Sequence, residues 1–208
     1  MSARRHPSDA ALASYAGGTL DEARRLVVAA HLAICAQCRV AVSAFEATGG
    51  VILDDLEPTP LRQGARGAIL EKLAAPFAHE PRPGNDEFAG PLAAYELGPW
   101  RWLGRGISWR RVDIPEAGNM RAFMLKAAPG TRLPHHKHQG AEWTCVLQGA
   151  YRHDDGIYGP ADFDEADETI EHRPVVEAGD ECICLVALEG QIALQGWVGR
   201  LLQPLIRF

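Results

Sequence analysis

Sixteen residues, PFAHEPRPGNDEFAGP at 76–91, carry four prolines and two glycines, and they constrain the fold more than any other stretch of the chain. Proline has no amide hydrogen to donate and a fixed φ, so neither a helix interior nor a central strand can run through such a segment. The chain must therefore be built from a piece before it and a piece after it. Its 208 residues suffice for two domains of ordinary size.

The two pieces have different hydrophobic periods. Residues 1–75 read as four short helices. Ser8 and Asp9 after Pro7 start the first, which stops at Gly17-Gly18. Thr19 and Glu22 have capping-box spacing ahead of the second, which runs through RRLVVAAHLAI. The third is expected over Cys38 to Ala47, ending at Gly49-Gly50. The fourth spans Leu61 to Leu73, with Leu61, Ala65, Ala68, Ile69 and Leu73 along one face. Four such helices enclose a thin core. From residue 92 to 208 the texture is short β-rich runs broken by turns, as in EWTCVLQGAYRH and ECICLVALEGQIALQGWVG. Strands with no helical pattern between them predict an antiparallel sandwich or small barrel. The expected fold is two-domain α + β: a small helical bundle at 1–75, a Pro-rich linker at 76–91 and an antiparallel β barrel at 92–208.

Within the helical piece, HLAICAQC at 31–38 has the spacing H-x3-C-x2-C. His31 and Cys35 are four apart and share a helical face, and Cys38 follows across a short turn. Two thiolates and an imidazole suit Zn2+, whose structural sites close with a fourth protein ligand. His6 is the only other histidine or cysteine before residue 79. An antiparallel hairpin of the first two helices brings it toward His31. The competing reading makes the cysteines small buried hydrophobes and His31 a hydrogen-bonded core histidine. It leaves a marginal helical domain without a staple.

A second cluster lies in GTRLPHHKHQGAEWTCVLQG at 130–149, where His136, His138 and Glu142 stand as H-x-H-x3-E, with His172 further on. Side chains alternate along a strand, so His136 and His138 project from one face. With Glu142 and His172 they form a set able to hold Zn2+, Fe2+, Mn2+ or Ni2+, with Zn2+ the expected occupant. His135 is out of phase, and His153, in the turn HDDG, is expected in solvent. Cys182 and Cys184 are two apart on a strand and face one side. They read as buried inert thiols or, if they face the barrel interior, as oxidisable groups beside the metal. Cys145 shares the parity of Trp143 and is expected to be packed. The acidic run ADFDEADETIE at 161–171 reads as a solvated loop.

Charge and composition narrow the function. A net charge of −6 opposes broad phosphate binding, so no direct nucleic-acid contact is expected. No apolar run approaches the roughly 18 residues of a spanning helix, and MSARRHPSDAALASYAGG lacks the apolar core of a signal peptide. The expectation is a cytoplasmic protein without membrane contact. Five cysteines in a reducing compartment point to metal or thiol chemistry rather than disulfides.

The N-terminal histidine followed by H-x3-C-x2-C resembles the zinc-binding anti-sigma domain of bacteria. The pattern G-x5-H-x-H-x3-E-x6-G from Gly130 to Gly149 resembles the first cupin motif. The second cupin motif departs from its usual form, with no Pro-x-Gly at the expected place before His172 and no Asn after it. Together the halves resemble the ChrR-type anti-sigma factors, which also carry a cysteine pair where Cys182 and Cys184 fall. That resemblance implies a regulator, not an enzyme, which sequesters an extracytoplasmic-function sigma factor as a 1:1 heterodimer. It also implies Zn2+ on His6, His31, Cys35 and Cys38, and a second divalent metal on His136, His138, Glu142 and His172. Release follows singlet oxygen or related oxidative stress, with the barrel as sensor passing the change across the linker. The rival is a metal-dependent cupin dioxygenase or isomerase with a helical accessory domain. It accounts for the barrel but gives HLAICAQC no role.

Overall fold

The structure is a computed structural model and describes residues 3–74, 87–115, 119–138, 140–153, 156–190 and 192–194. Most of the segment expected as a linker, at 76–91, and the chain beyond residue 194 lie outside the described residues. Four helices come first: α1 (Asp9–Ala16), α2 (Glu22–Leu32), α3 (Ala36–Asp54) and α4 (Ala65–Ala74). A 3-10 turn, Gly90–Ala94, leads into the strands β1 (Arg101–Gly104), β2 (Ile107–Val112), β3 (Met120–Ala127) and β4 (His136–His138). These are followed by β5 (Glu142–Gln148), β6 (Tyr151–His153), β7 (Gly156–Tyr158) and β8 (Phe163–Ala166). The last are β9 (Glu171–His172), β10 (Val175–Val176), β11 (Cys182–Glu189) and β12 (Ile192–Leu194).

The Ser8 hydroxyl caps α1 by accepting from the Ala11 amide, as its position after Pro7 suggests. At α2 the cap is Asp21, whose carboxylate accepts from Arg24 N at 2.9 Å, and not Thr19. Thr19 instead bonds back to the Ser14 carbonyl and closes the turn after α1. A second departure is larger: α3 does not stop at Gly49-Gly50 but runs through both to Asp54. Neither glycine takes a left-handed φ, so neither acts as a C-cap. The loss of about 1 kcal/mol per glycine therefore weakens the helix without ending it. Helix α4 begins at Ala65, after Pro58 and Pro60, rather than at Leu61.

The strands form one antiparallel six-stranded sheet, β1-β2-β3-β11-β5-β8, faced by two three-stranded sheets, β10-β6-β7 and β12-β4-β9. Strand alternation gives the large sheet two buried faces. Met124, Cys145, Leu185 and Ala187 point outward into a core shared with Leu26, Val27 and Val28 of α2. Phe123, Val146, Cys182, Cys184, Val186 and Leu188 point inward against Tyr151, Tyr158 and Val176 of the facing sheet. The helical layer and the barrel thus share one continuous apolar core, although they are separated in sequence.

The turn that opens β6 depends on Gly149, which has φ +67°. A Cβ there would sit 2.4 Å from the Glu181 carbonyl oxygen, whereas at Gly130, with φ +73°, it would meet nothing within 4 Å. Gly130→Ala should therefore lose about 1–2 kcal/mol from backbone strain alone. Gly149→Ala should lose roughly 3 kcal/mol or more, because the sheet must also shift. Thermal unfolding of the two variants, side by side, tests the difference.

Candidate metal centre

The spacing H-x3-C-x2-C folds as the end of one helix and the start of the next. His31 lies in the last turn of α2, Cys35 is the N-cap of α3, and Cys38 lies in its first turn. The Cys35 thiol accepts from the Cys38 amide at 3.5 Å, so the helix start and the thiol pair are one piece of local structure. His6, just ahead of α1, closes the cluster. Its Nδ1 is 3.4 Å from Cys35 Sγ and 3.3 Å from Cys38 Sγ, and one ligand atom from each of the four residues lies within 4.8 Å of the others. Tetrahedral zinc with bonds of about 2.0–2.3 Å places its ligand atoms about 3.5 Å apart.

His31 supplies the sharpest test of fit. It is fully buried, and its Nδ1 lies 2.6 Å from the carbonyl oxygen of Ala161. A carbonyl can only accept, so Nδ1 carries the proton and Nε2 the lone pair. Nε2 is buried with no hydrogen-bond partner. A buried lone pair without a donor is costly, and a metal ion removes that cost. Burial also lowers the His31 pKa, which keeps the ring neutral and able to ligate. Burial and the hydrogen bond with Cys35 push the Cys38 thiol up to about 12. Zinc binding must therefore expel a proton from the Cys38 thiol. The two imidazoles stand edge to face with centroids 5.5 Å apart. His6, His31, Cys35 and Cys38 together fit a tetrahedral S2N2 zinc centre.

For the second cluster the backbone is described, but the side chains of His136, His138 and His172 lie outside the described residues. In register, β4 pairs with β9 so that His136 stands opposite His172, while His138 stands opposite Ile192. Glu142 opens β5 on the neighbouring large sheet, hydrogen-bonded to the Thr144 hydroxyl. Burial, reinforced by the Asp164 carboxylate, raises its carboxyl to about 8. His135 is exposed and faces Glu171 at 3.9 Å.

Two expectations are corrected here. His153 is not in solvent: its side chain is 2% exposed and its Nε2 lies 3.1 Å from Asp164 Oδ2, which also accepts from the Tyr151 hydroxyl at 2.9 Å. The run 161–171 is not wholly a solvated loop either. Ala161, Asp162 and Phe163 are buried, and the exposed part is confined to 167–169 and Glu171. Their partners, among them Arg4, Arg5 and His31, are 130 or more positions away, so no local pattern signals them. Cys145 is packed as expected. Cys182 and Cys184 are buried in the barrel interior with sulfurs 3.7 Å apart. The hydrogen bond with Cys182, and then burial, hold the Cys184 thiol well above its ordinary range, so it rests protonated.

Among the described residues, no helix is long and apolar enough to cross a membrane. A zinc-finger family model matches residues 8–39, and the family model of the ChrR cupin-like domain matches residues 92–192. The N-terminal region is accordingly a zinc-binding domain. The anti-sigma-E factor ChrR of Cereibacter sphaeroides is 37% identical to this chain over 215 aligned positions, covering all of both sequences. Among solved structures, that of Rhodobacter sphaeroides SigE in complex with the anti-sigma factor ChrR contains a chain 38% identical to this one. It superposes with a TM-score of 0.78 over 90% of this chain and 100% of that one. With zinc-finger helices and a cupin-like barrel in the same order along the whole length, the chain belongs to the family of ChrR anti-sigma factors.

Proposed function

We propose that this protein holds an extracytoplasmic-function sigma factor inactive in a 1:1 complex in the cytoplasm and releases it under singlet oxygen or a related oxidative stress. The observation that carries the reading is the surface of α3 and α4. The N-terminal half of α3 is anchored by Cys38, Val42 and Phe45, but beyond Gly50 it exposes Val51, Ile52 and Leu53, each more than 60% accessible. Leu56, Leu61, Ile69, Leu70 and Leu73 continue the exposed series, and α4 has no buried residue. Isolated surface leucines are ordinary, but a run of them along two consecutive helices is a surface made for a partner. The relative captured with its sigma factor supplies the kind of partner. Burying that surface against a sigma factor competes with RNA polymerase and needs no contact with DNA.

In this reading His6, His31, Cys35 and Cys38 hold Zn2+, which keeps the helices folded. The barrel senses rather than catalyses, with a second divalent metal, expected to be Zn2+, on His136, His138, Glu142 and His172. Register supports that grouping, since His136 and His172 are paired across two strands and Glu142 lies on the adjoining sheet. A bound cation would also favour the ionised form of the Glu142 carboxyl, which burial and the Asp164 carboxylate disfavour. Cys182 and Cys184 share the barrel interior and are the thiols an oxidant entering it would meet. The protonated resting state of Cys184 makes it slow to react, so it responds after the metal site, not before it.

Three measurements test these assignments. Leu53→Asp or Ile69→Asp should weaken co-purification with the sigma factor by at least tenfold, while zinc content and thermal unfolding of the free chain stay unchanged. Unaltered binding in both would remove the docking surface. Cys35→Ser or Cys38→Ser should lose one zinc per chain, unfold the helices by circular dichroism and give constitutive transcription, because zinc binding in so small a domain is folding free energy. The barrel test is one of pH. A carboxyl raised to about 8 when folded keeps a proton that the unfolded chain has lost. Its stabilising contribution is complete below about 4.5 and is lost as pH rises through 8. Metal-stripped protein should therefore lose stability over that window. Zn2+ should restore it with proton release, and Glu142→Gln should flatten the dependence.

A further inference from the structure

The four residues between β7 and β8 and the first residue of β8, Gly159–Phe163, touch both the zinc centre and the barrel interior. On one side, the Ala161 carbonyl holds His31 Nδ1 at 2.6 Å. Asp162 Oδ1 accepts from the amides of Arg4 and Arg5 at 2.6 and 3.0 Å, and the Phe163 amide donates to the Arg5 carbonyl at 3.2 Å. The segment immediately before His6 is thus pinned to this corner, and the Phe163 ring meets His31 edge to face at 5.9 Å. On the other side, the residues flanking the corner belong to the barrel interior. Tyr158 stacks on Tyr151 and His153 at 5.0 and 4.8 Å, and Asp164 bonds both of those side chains. Arg5 spans the two sides, with its guanidinium over the Tyr158 ring at 4.3 Å and Nη1 donating to the Tyr158 hydroxyl.

The corner has the backbone of a part held under constraint. Ala161 has φ +70°, the one non-glycine positive φ among the described residues. Such a conformation costs of order 1–3 kcal/mol and persists only where surroundings enforce it. Here the enforcement is visible: the Ala161 amide donates to the Val146 carbonyl at 2.8 Å, and the Val146 amide donates to the Asp162 carbonyl at 3.0 Å. Asp162 Oδ2 accepts from the Gly159 amide at 2.8 Å and closes the turn on itself. The strained residue is the one whose carbonyl sets the tautomer of His31.

We propose that the Gly159–Phe163 corner is the element through which the barrel governs the zinc centre. Asp162 is its positioning residue, holding the segment that bears His6 and presenting the Ala161 carbonyl to His31. A change in the barrel interior then reaches the zinc centre through Tyr158 and Asp164, across a few ångströms of packed structure, and the Pro-rich linker carries no signal. The proposal rests on the assignment of zinc to His6, His31, Cys35 and Cys38.

The test follows a metal whose colour reports the thiolate site alone. Full-length protein is loaded with Co2+, and loss of the thiolate-to-cobalt absorption to excess chelator is timed. The barrel set of histidines and a glutamate gives no such band. Cys38→Ser should abolish the band, and if it does not, the zinc assignment itself fails. With that assignment intact, Asp162→Ala should lose Co2+ about 10- to 100-fold faster than the parent, and Asp162→Asn, which keeps the side-chain shape and serves as the test should the alanine variant not fold, should lie between them. Glu189→Ala, which breaks the Arg24–Glu189 ion pair elsewhere on the same interface, and ten Gly-Ser residues inserted after Gly84 should both stay within twofold of the parent. Asp162→Asn within twofold of the parent would overturn the proposal. So would equal acceleration by Glu189→Ala or by the insertion, since the effect would then belong to the interface or the linker at large.

Discussion

The hydrogen bond from His31 to the Ala161 carbonyl joins residues 130 positions apart, and the rest of the arrangement hangs on it. It decides which nitrogen of His31 is left bare, and so aims a lone pair at the two thiols and at His6. It also requires α2 to lie flat on the large sheet, which is where Leu26, Val27 and Val28 find their cover. Polar contact and apolar packing therefore specify the same docking of helices on barrel, and neither could shift without exposing the other.

That docking leaves a division within the helical layer. The side of α2 that meets the sheet is fully buried, and α1 and the first half of α3 complete a small core around it. Past Phe45 the core runs out, and α3 continues with none of the described residues packed beneath it. The two glycines at 49 and 50 lie where burial ends: they weaken a helix that has lost tertiary support, and they leave its last turns free to adapt to a partner. An apolar surface on a weakly supported helix suits a protein that must first bind and later let go.

The barrel contributes a different kind of constraint. Its interior holds carboxylates, a histidine, tyrosines and thiols close together, and burial and then the Asp164 carboxylate raise the cost of ionising Glu142. The interior is consequently sensitive to what occupies it, and the same strands that enclose it lead directly into the corner beneath His31.

The sequence by itself determined the parts whose physics is local. The 3.6-residue period had to give helices in the first part of the chain and the alternation strands in the second, and H-x3-C-x2-C had to place its three groups on one helix–turn–helix. The H-x-H-x3-E spacing likewise set two histidines on one strand and a glutamate near the start of the next. Only the tertiary structure decided what depends on distant residues meeting. Asp162 and Ala161 belong to a run whose charge reads as solvent-facing, yet they are buried because Arg4, Arg5 and His31 arrive there from the other end of the chain. His153 is enclosed because Asp164 and two tyrosines surround it, and α3 outruns its glycines because helix ends answer to context as well as propensity. Burial and hydrogen bonding between segments carry no periodic trace along a single chain, so the contacts that tie the zinc centre to the barrel became legible only in three dimensions.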